Sequence, residues 1–272
     1  MKKYFSYAFL LIIMIGFDAC TDKDGSINIF PVSKDVELGA QVAAQIESDP
    51  VNYNLLPLTG NGGKNELAHA YLYAIVDKIK ATGKLDYKDE FAWKVRIIKD
   101  DATLNAFCTP GGYIYVYTGL IKYLDKPDHL AGVMGHEMGH AAHRHSTDAM
   151  TRDYGVQTLL DVVLGKSSQS TIVQMAANLS SLKYSRGNET QADESSVDYL
   201  AGTGYACIGA AGFFEKLIAD GQNPQVPQFL STHPNPDNRV SAIHAKAAAI
   251  GCSEAYSTAE AEFAQFKSNL NL

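Results

Sequence analysis

Two histidines four residues apart, His136 and His140, bracket a glutamate in the segment His136-Glu137-Met138-Gly139-His140. On an α-helix, residues four apart share a face, so the two imidazoles can grip one metal ion while Glu137 projects beside them toward a bound water. Zinc binds imidazole nitrogen at about 2.0–2.1 Å and lowers the pKa of a bound water from about 15.7 to about 7. A neighbouring carboxylate can then take its proton near neutral pH, which makes Glu137 the candidate general base. His143 and His145 follow closely. A metal already held by the first pair leaves them no role, and they read as surface histidines.

A catalytic zinc site takes three protein ligands and keeps one position open. A third histidine preceded by a glycine would complete one known arrangement, but Ala141-Ala142-His143-Arg144-His145-Ser146-Thr147-Asp148 has no glycine where it is needed. The alternative is a glutamate from a later helix. In Asn188-Glu189-Thr190-Gln191-Ala192-Asp193 two acids stand one helical turn apart. Glu189 is assigned as the third ligand of a single Zn2+. Asp193 is assigned as the acceptor for a ligand imidazole N–H, a bond that fixes the tautomer and raises basicity.

The elements that must position these groups are mostly helical. Helical spacing is expected around 36–46, at 66–81, and then over 128–145, 147–164, 170–182, 188–202, 208–220 and 236–249, with a polar helix after Cys252. Between them, 92–98 and Tyr113-Ile114-Tyr115-Val116-Tyr117 alternate as strands, the latter after a Pro110-Gly111-Gly112 turn. Helices, a small sheet of two strands, then helices again argue for an α+β fold. No repeat or Pro/Gly/Ser-rich linker divides 35–272, which is read as one domain. The segment 156–182 reads as a core hairpin or, alternatively, a lid over the cleft.

Met1-Lys2-Lys3 precedes an apolar run from Tyr4 to Phe17. As a helix it would span roughly 21 Å, short of the ~30 Å hydrocarbon core, so residues 1–19 read as a signal peptide. Ala19-Cys20 after that run resembles a bacterial lipobox, which makes Cys20 the lipidated residue and 20–34 a tether; an ordinary secretory signal is the alternative. Export places the chain in the cell envelope, on the periplasmic side of a membrane. Cys207 bonded to Cys252 would tie the later helices and leave Cys108 buried and free, although three pairings are open on sequence alone. With 23 Lys+Arg against 30 Asp+Glu and a net charge of −7, no basic stripe favours nucleic acid.

Several motifs in order resemble the gluzincin metallopeptidases of the CaaX prenyl protease, HtpX, LoiP and BepA type. They are Asn105-Ala106-Phe107 through Pro110-Gly111-Gly112-Tyr113-Ile114-Tyr115-Val116, then Thr118-Gly119-Leu120, the HExxH at 136–140, Glu189-x-x-Ala192-Asp193, and Ser231-Thr232-His233-Pro234 with Arg239. The resemblance implies a mainly helical zincin-like domain whose small sheet has an edge strand beside the active-site helix. It also implies zinc-dependent endoproteolysis. Gly112, Tyr113, Ile114 and Tyr115 would form the edge that pairs with extended substrate. His233 and Arg239 match the late motif, as oxyanion-stabilising groups or, for His233, as an occupant of the open zinc position.

The expected function is a zinc endopeptidase of the bacterial envelope acting on misfolded or unassembled proteins. The rival from another class is a zinc-bearing chaperone or assembly factor with vestigial cleavage. Unfolded substrates bound but never cut would favour the rival.

Overall fold

The strand Tyr113-Ile114-Tyr115-Val116-Tyr117 alternates aromatic and aliphatic side chains, and the fold buries both sets. In the computed structural model, which describes residues 30–220, 231–233 and 238–271, this strand is the middle one of three. Strand β1 (Lys94–Ile98) runs parallel to β3 (Tyr113–Tyr117), with Val95 opposite Ile114, and β2 (Ala106–Thr109) runs antiparallel to it, with Cys108 opposite Ile114. Ile114 and Val116 join Val95, Ile97, Ala106 and Cys108 in the main core. Tyr115 and Tyr117 join Ile98 and Phe107 in a second core on the opposite face. Period-2 alternation thus supplies two apolar faces instead of one wet face.

Four helices cover the tyrosine face: α1 (Val32–Glu47), α5 (His145–Tyr154), α6 (Val156–Val163) and α7 (Gln169–Asn178). The segment 156–182 is therefore a core hairpin, holding Leu159, Val162, Met175 and Ala176 against α1 and the sheet, with Leu164 and Val173 left exposed. The other face packs on α2 (Lys64–Ala81) and on α4 (Pro127–Ala142), α8 (Arg186–Leu200), α9 (Gly209–Ala219), α10 (Arg239–Ala249) and α11 (Glu260–Asn269). The short α3 (Thr118–Tyr123) links β3 to α4.

Every residue of α4 is buried. Pro127 opens it, where a missing N–H costs nothing. Its glycines serve close approach: a Cβ at Gly132 would overlap the Ala210 backbone of α9, and one at Gly139 would stand 3.1 Å from Ala192 Cα of α8. At the far end Arg144 takes a left-handed conformation, φ 60°, which stops α4 and redirects the chain into α5 (His145–Tyr154). The buried Arg144 guanidinium pairs with Asp35 of α1 and donates to the Phe30 carbonyl. The folded unit therefore includes Phe30, and residues 32–34 of the expected tether belong to α1. The expected signal peptide and Cys20 lie outside the described residues.

The expected single helix over 147–164 divides at Gly155, whose φ of 79° suits glycine alone. Strand β2 went unread because four residues are too few to show a period. Cys207 and Cys252 form a disulfide with Cα atoms 6.2 Å apart, and Cys108 is free and buried. Among the described residues no helix is long and apolar enough to cross a membrane.

Candidate metal centre

Helices α4 and α8 lie side by side because Gly135 and Gly139 meet Ser196, Ala192 and Ser195 at close range. That contact carries Glu189 up to His136 and His140. The start of α8 is fixed by a capping box, in which Ser185 Oγ accepts from the Asn188 N–H and Asn188 Oδ1 accepts from the Ser185 N–H. Glu189 is the next residue, so the cap sets its height along the helix.

The ligand atoms converge. His136 Nε2 and His140 Nε2 are 3.0 Å apart, Glu189 Oε2 lies 3.5 Å from the first and Oε1 lies 3.4 Å from the second. His233 Nδ1 joins them, 3.3 Å from Glu189 Oε1 and 3.4 Å from His136 Nε2. Four atoms each about 2.0–2.1 Å from a tetrahedral zinc ion stand roughly 3.3 Å from one another, so the spacing matches. Three imidazoles crowd the buried carboxylate of Glu189, and the buried oxygens of Glu137 accept no hydrogen bond. A buried carboxylate left in that condition is costly, and a divalent cation at this point would satisfy it. The residues present therefore fit zinc.

Glu137 is wholly buried beside the cluster, its Oε1 3.7 Å from His233 Nε2. Burial pushes its carboxyl pKa up, opposed in part by the nearby His233 and His136. Burial also works against ionisation of Glu189, but the charge on His233 and hydrogen bonding with His136 and His140 outweigh it and hold Glu189 well below the usual carboxylate range. Asp193 accepts from His136 Nδ1 at 2.9 Å. Burial would depress the His136 pKa, but hydrogen bonds with Asp193 and Glu189 push it up to about 9. For His140, burial and then the His136 charge outweigh the support of Glu189 and drive its pKa down.

A pH dependence follows. His136 carries a proton below about pH 9 until a metal displaces it, so zinc affinity should rise about tenfold per pH unit from neutrality toward that value. Calorimetry at pH 7 in buffers of different ionisation enthalpy should show about one proton released from this group per zinc bound. A binding heat independent of the buffer would contradict the assignment.

Three expectations need correction. The strand Tyr113–Tyr117 is not an edge: β1 and β2 occupy both its sides, and Ile114 and Tyr115 are wholly buried, so Gly112, Tyr113, Ile114 and Tyr115 have no edge to offer a peptide. The edge beside α4 and α5 is β2, where Ser146 Oγ donates to the Cys108 carbonyl. Arg239 does not face the reacting groups. Its Nε and Nη2 clasp Asp193 at 2.7 and 2.6 Å, its Nη1 stands 3.0 Å from Glu189, and its Cζ lies 3.9 Å from the centroid of the Phe214 ring. It holds Asp193 behind His136 and touches Glu189 directly. His145, read as a surface residue, is buried against His140.

Tyr184 also escaped the sequence reading. Its ring stacks on His140 with centroids 3.9 Å apart, and its hydroxyl lies 3.1 Å from Ser146 Oγ. No spacing rule links it to the HExxH segment, because it reaches the site from the loop ahead of α8.

Comparison with known proteins agrees with this geometry. The chain is similar to the mitochondrial metalloendopeptidase OMA1 of Arabidopsis thaliana, with 33% identity over 161 residues that cover 59% of this chain and 33% of that one. It is similar to the metalloprotease YcaL of Escherichia coli (strain K12), 32% identical over 158 residues, covering 56% and 60%. A third relative is the beta-barrel assembly-enhancing protease of Yersinia pestis, 30% identical over 151 residues, covering 51% and 31%. The matched region thus spans only 31% to 60% of these relatives' lengths. The profile described as Peptidase family M48 matches residues 66–247, a span that holds His136, Glu137, His140, Glu189, Asp193, His233 and Arg239 together, and the chain belongs to that family.

Proposed function

We propose that this chain is a zinc-dependent endopeptidase of the bacterial cell envelope, anchored through a lipid on Cys20, that cleaves misfolded or unassembled proteins. The observation that carries the reading is the convergence of His136, His140, Glu189 and His233 at tetrahedral spacing, with the buried carboxylate of Glu137 beside them. Relatives named metalloendopeptidase and metalloprotease support peptide hydrolysis, and the one named beta-barrel assembly-enhancing protease supports an envelope setting.

His136, His140 and Glu189 would hold the zinc. When bound, zinc acidifies a water and polarises the scissile carbonyl. Glu137 takes the proton of the attacking water and passes it to the leaving amine, a double use helped by the burial that raises its pKa. His233, whose Nδ1 lies 3.3 Å from Glu189 Oε1, would serve as a further holding group that gives way to substrate. It then faces the developing oxyanion.

Protein stripped of metal by a chelator should not cleave an unfolded substrate, and stoichiometric zinc should restore cleavage. Full turnover in a sample shown by elemental analysis to contain no metal would overturn the proposal. Substrate bound but uncut by the zinc-loaded protein would favour the chaperone reading.

A further inference from the structure

His145 lies five residues after His140, and in a continuous helix that spacing would carry it off the face that holds the metal ligands. The left-handed turn at Arg144 breaks the helix and brings His145 back beneath His140. Its side chain is buried, with Nδ1 2.9 Å from His140 Nδ1 and Nε2 2.9 Å from Gln191 Oε1 on α8.

The protons on this chain of three side chains can be placed by elimination. His140 turns Nε2 toward His136 Nε2 and Glu189, so that nitrogen must keep its lone pair to bind a metal. A neutral imidazole then carries its proton on Nδ1, which donates to His145 Nδ1. His145 in turn carries its proton on Nε2 and donates it to Gln191 Oε1. The reverse direction would put the proton of His140 on Nε2 and remove it as a ligand.

We propose that His145 is a positioning residue that fixes the tautomer and ring plane of His140, with Gln191 as the terminal acceptor. The inference rests on reading His140 as a zinc ligand. It gives the two imidazole ligands unequal support: His136 leans on the charged Asp193, and His140 on a neutral imidazole–amide pair. The neutral pair has a physical reason. Glu137, Glu189 and Asp193 already place three carboxylates in one buried volume, and an acid at position 145 would add a fourth with no cation to match it.

Chelator-competition affinities for zinc, absorption spectra of the cobalt-substituted protein and melting of the metal-free forms would be compared for wild type, His145→Phe, His145→Asn, Gln191→Leu and His140→Ala. His145→Phe keeps a ring but no acceptor and should lose about 10- to 100-fold in zinc affinity and alter the cobalt spectrum. His145→Asn, which restores an acceptor near the Nδ1 position, should recover most of that loss. Gln191→Leu should lower affinity by a smaller factor while the metal-free form melts as wild type does. Wild-type affinity and cobalt spectrum in His145→Phe, alongside lost binding in His140→Ala, would overturn the positioning role and leave the ligand reading standing. Wild-type affinity in His140→Ala would overturn the ligand reading and this inference with it. Nitrogen-15 spectra of the zinc-loaded wild type test the same point without any variant: His145 should be the neutral Nε2–H tautomer, and an Nδ1–H tautomer would overturn the proposal.

Discussion

Replacing Glu137 by Gln is expected to lower turnover of a peptide substrate by about 10²- to 10⁴-fold while zinc content stays at the wild-type level. The isosteric amide preserves volume in a position with no solvent exposure, so packing on α4 is unchanged. What it removes is the proton acceptor. Glu137 Oε1 stands 3.7 Å from His233 Nε2, against 3.0–3.5 Å among the atoms of the proposed ligand set. Metal affinity should therefore survive the change. A purified variant with wild-type turnover would remove Glu137 from catalysis, and one that had lost its zinc would make it part of the metal-holding set.

The second large effect is on stability. Arg239→Met should destabilise the metal-free protein by about 3–5 kcal/mol, the cost of leaving buried charges without their partner. Arg239 is almost wholly buried and makes two hydrogen bonds to Asp193, with a further close ion contact to Glu189. Methionine can fill the space over the Phe214 ring but cannot answer either carboxylate. Saturating zinc should restore part of the loss, since it binds the folded form and neutralises Glu189. Urea denaturation with and without zinc would measure both numbers. A loss below about 1 kcal/mol without metal would mean that the carboxylates are satisfied by something other than Arg239.

The residues proposed to do the chemistry were legible because helix geometry converts sequence spacing into distance. His136 and His140 are four apart on one uninterrupted helix, so their convergence needs no tertiary information. The assignment of Glu189 with Asp193 needed one more step, a second helix with acids one turn apart. Arg239, His145 and the edge strand could not be read the same way. A guanidinium after a late motif fits an oxyanion or a carboxylate equally well until its neighbours are known, and here two buried acids claim it. The order of strands is set by which edges the crossover connections leave free, and a run of alternating residues looks the same at the centre of a sheet as at its rim.

The sequence by itself carried the expectation of a zinc site built on His136 and His140 with Glu137 beside them, and of an α+β chain in the order helices, small sheet, helices, because each is a matter of residue chemistry at helical or strand period. The tertiary structure decided which groups stand behind those ligands. The left-handed turn at Arg144 carries His145 under His140, and the close glycine contacts of α4 with α8 bring Glu189, Asp193 and Gln191 into reach. Such contacts depend on where one helix ends and how near another can approach, and neither quantity is written in the spacing of the side chains that result.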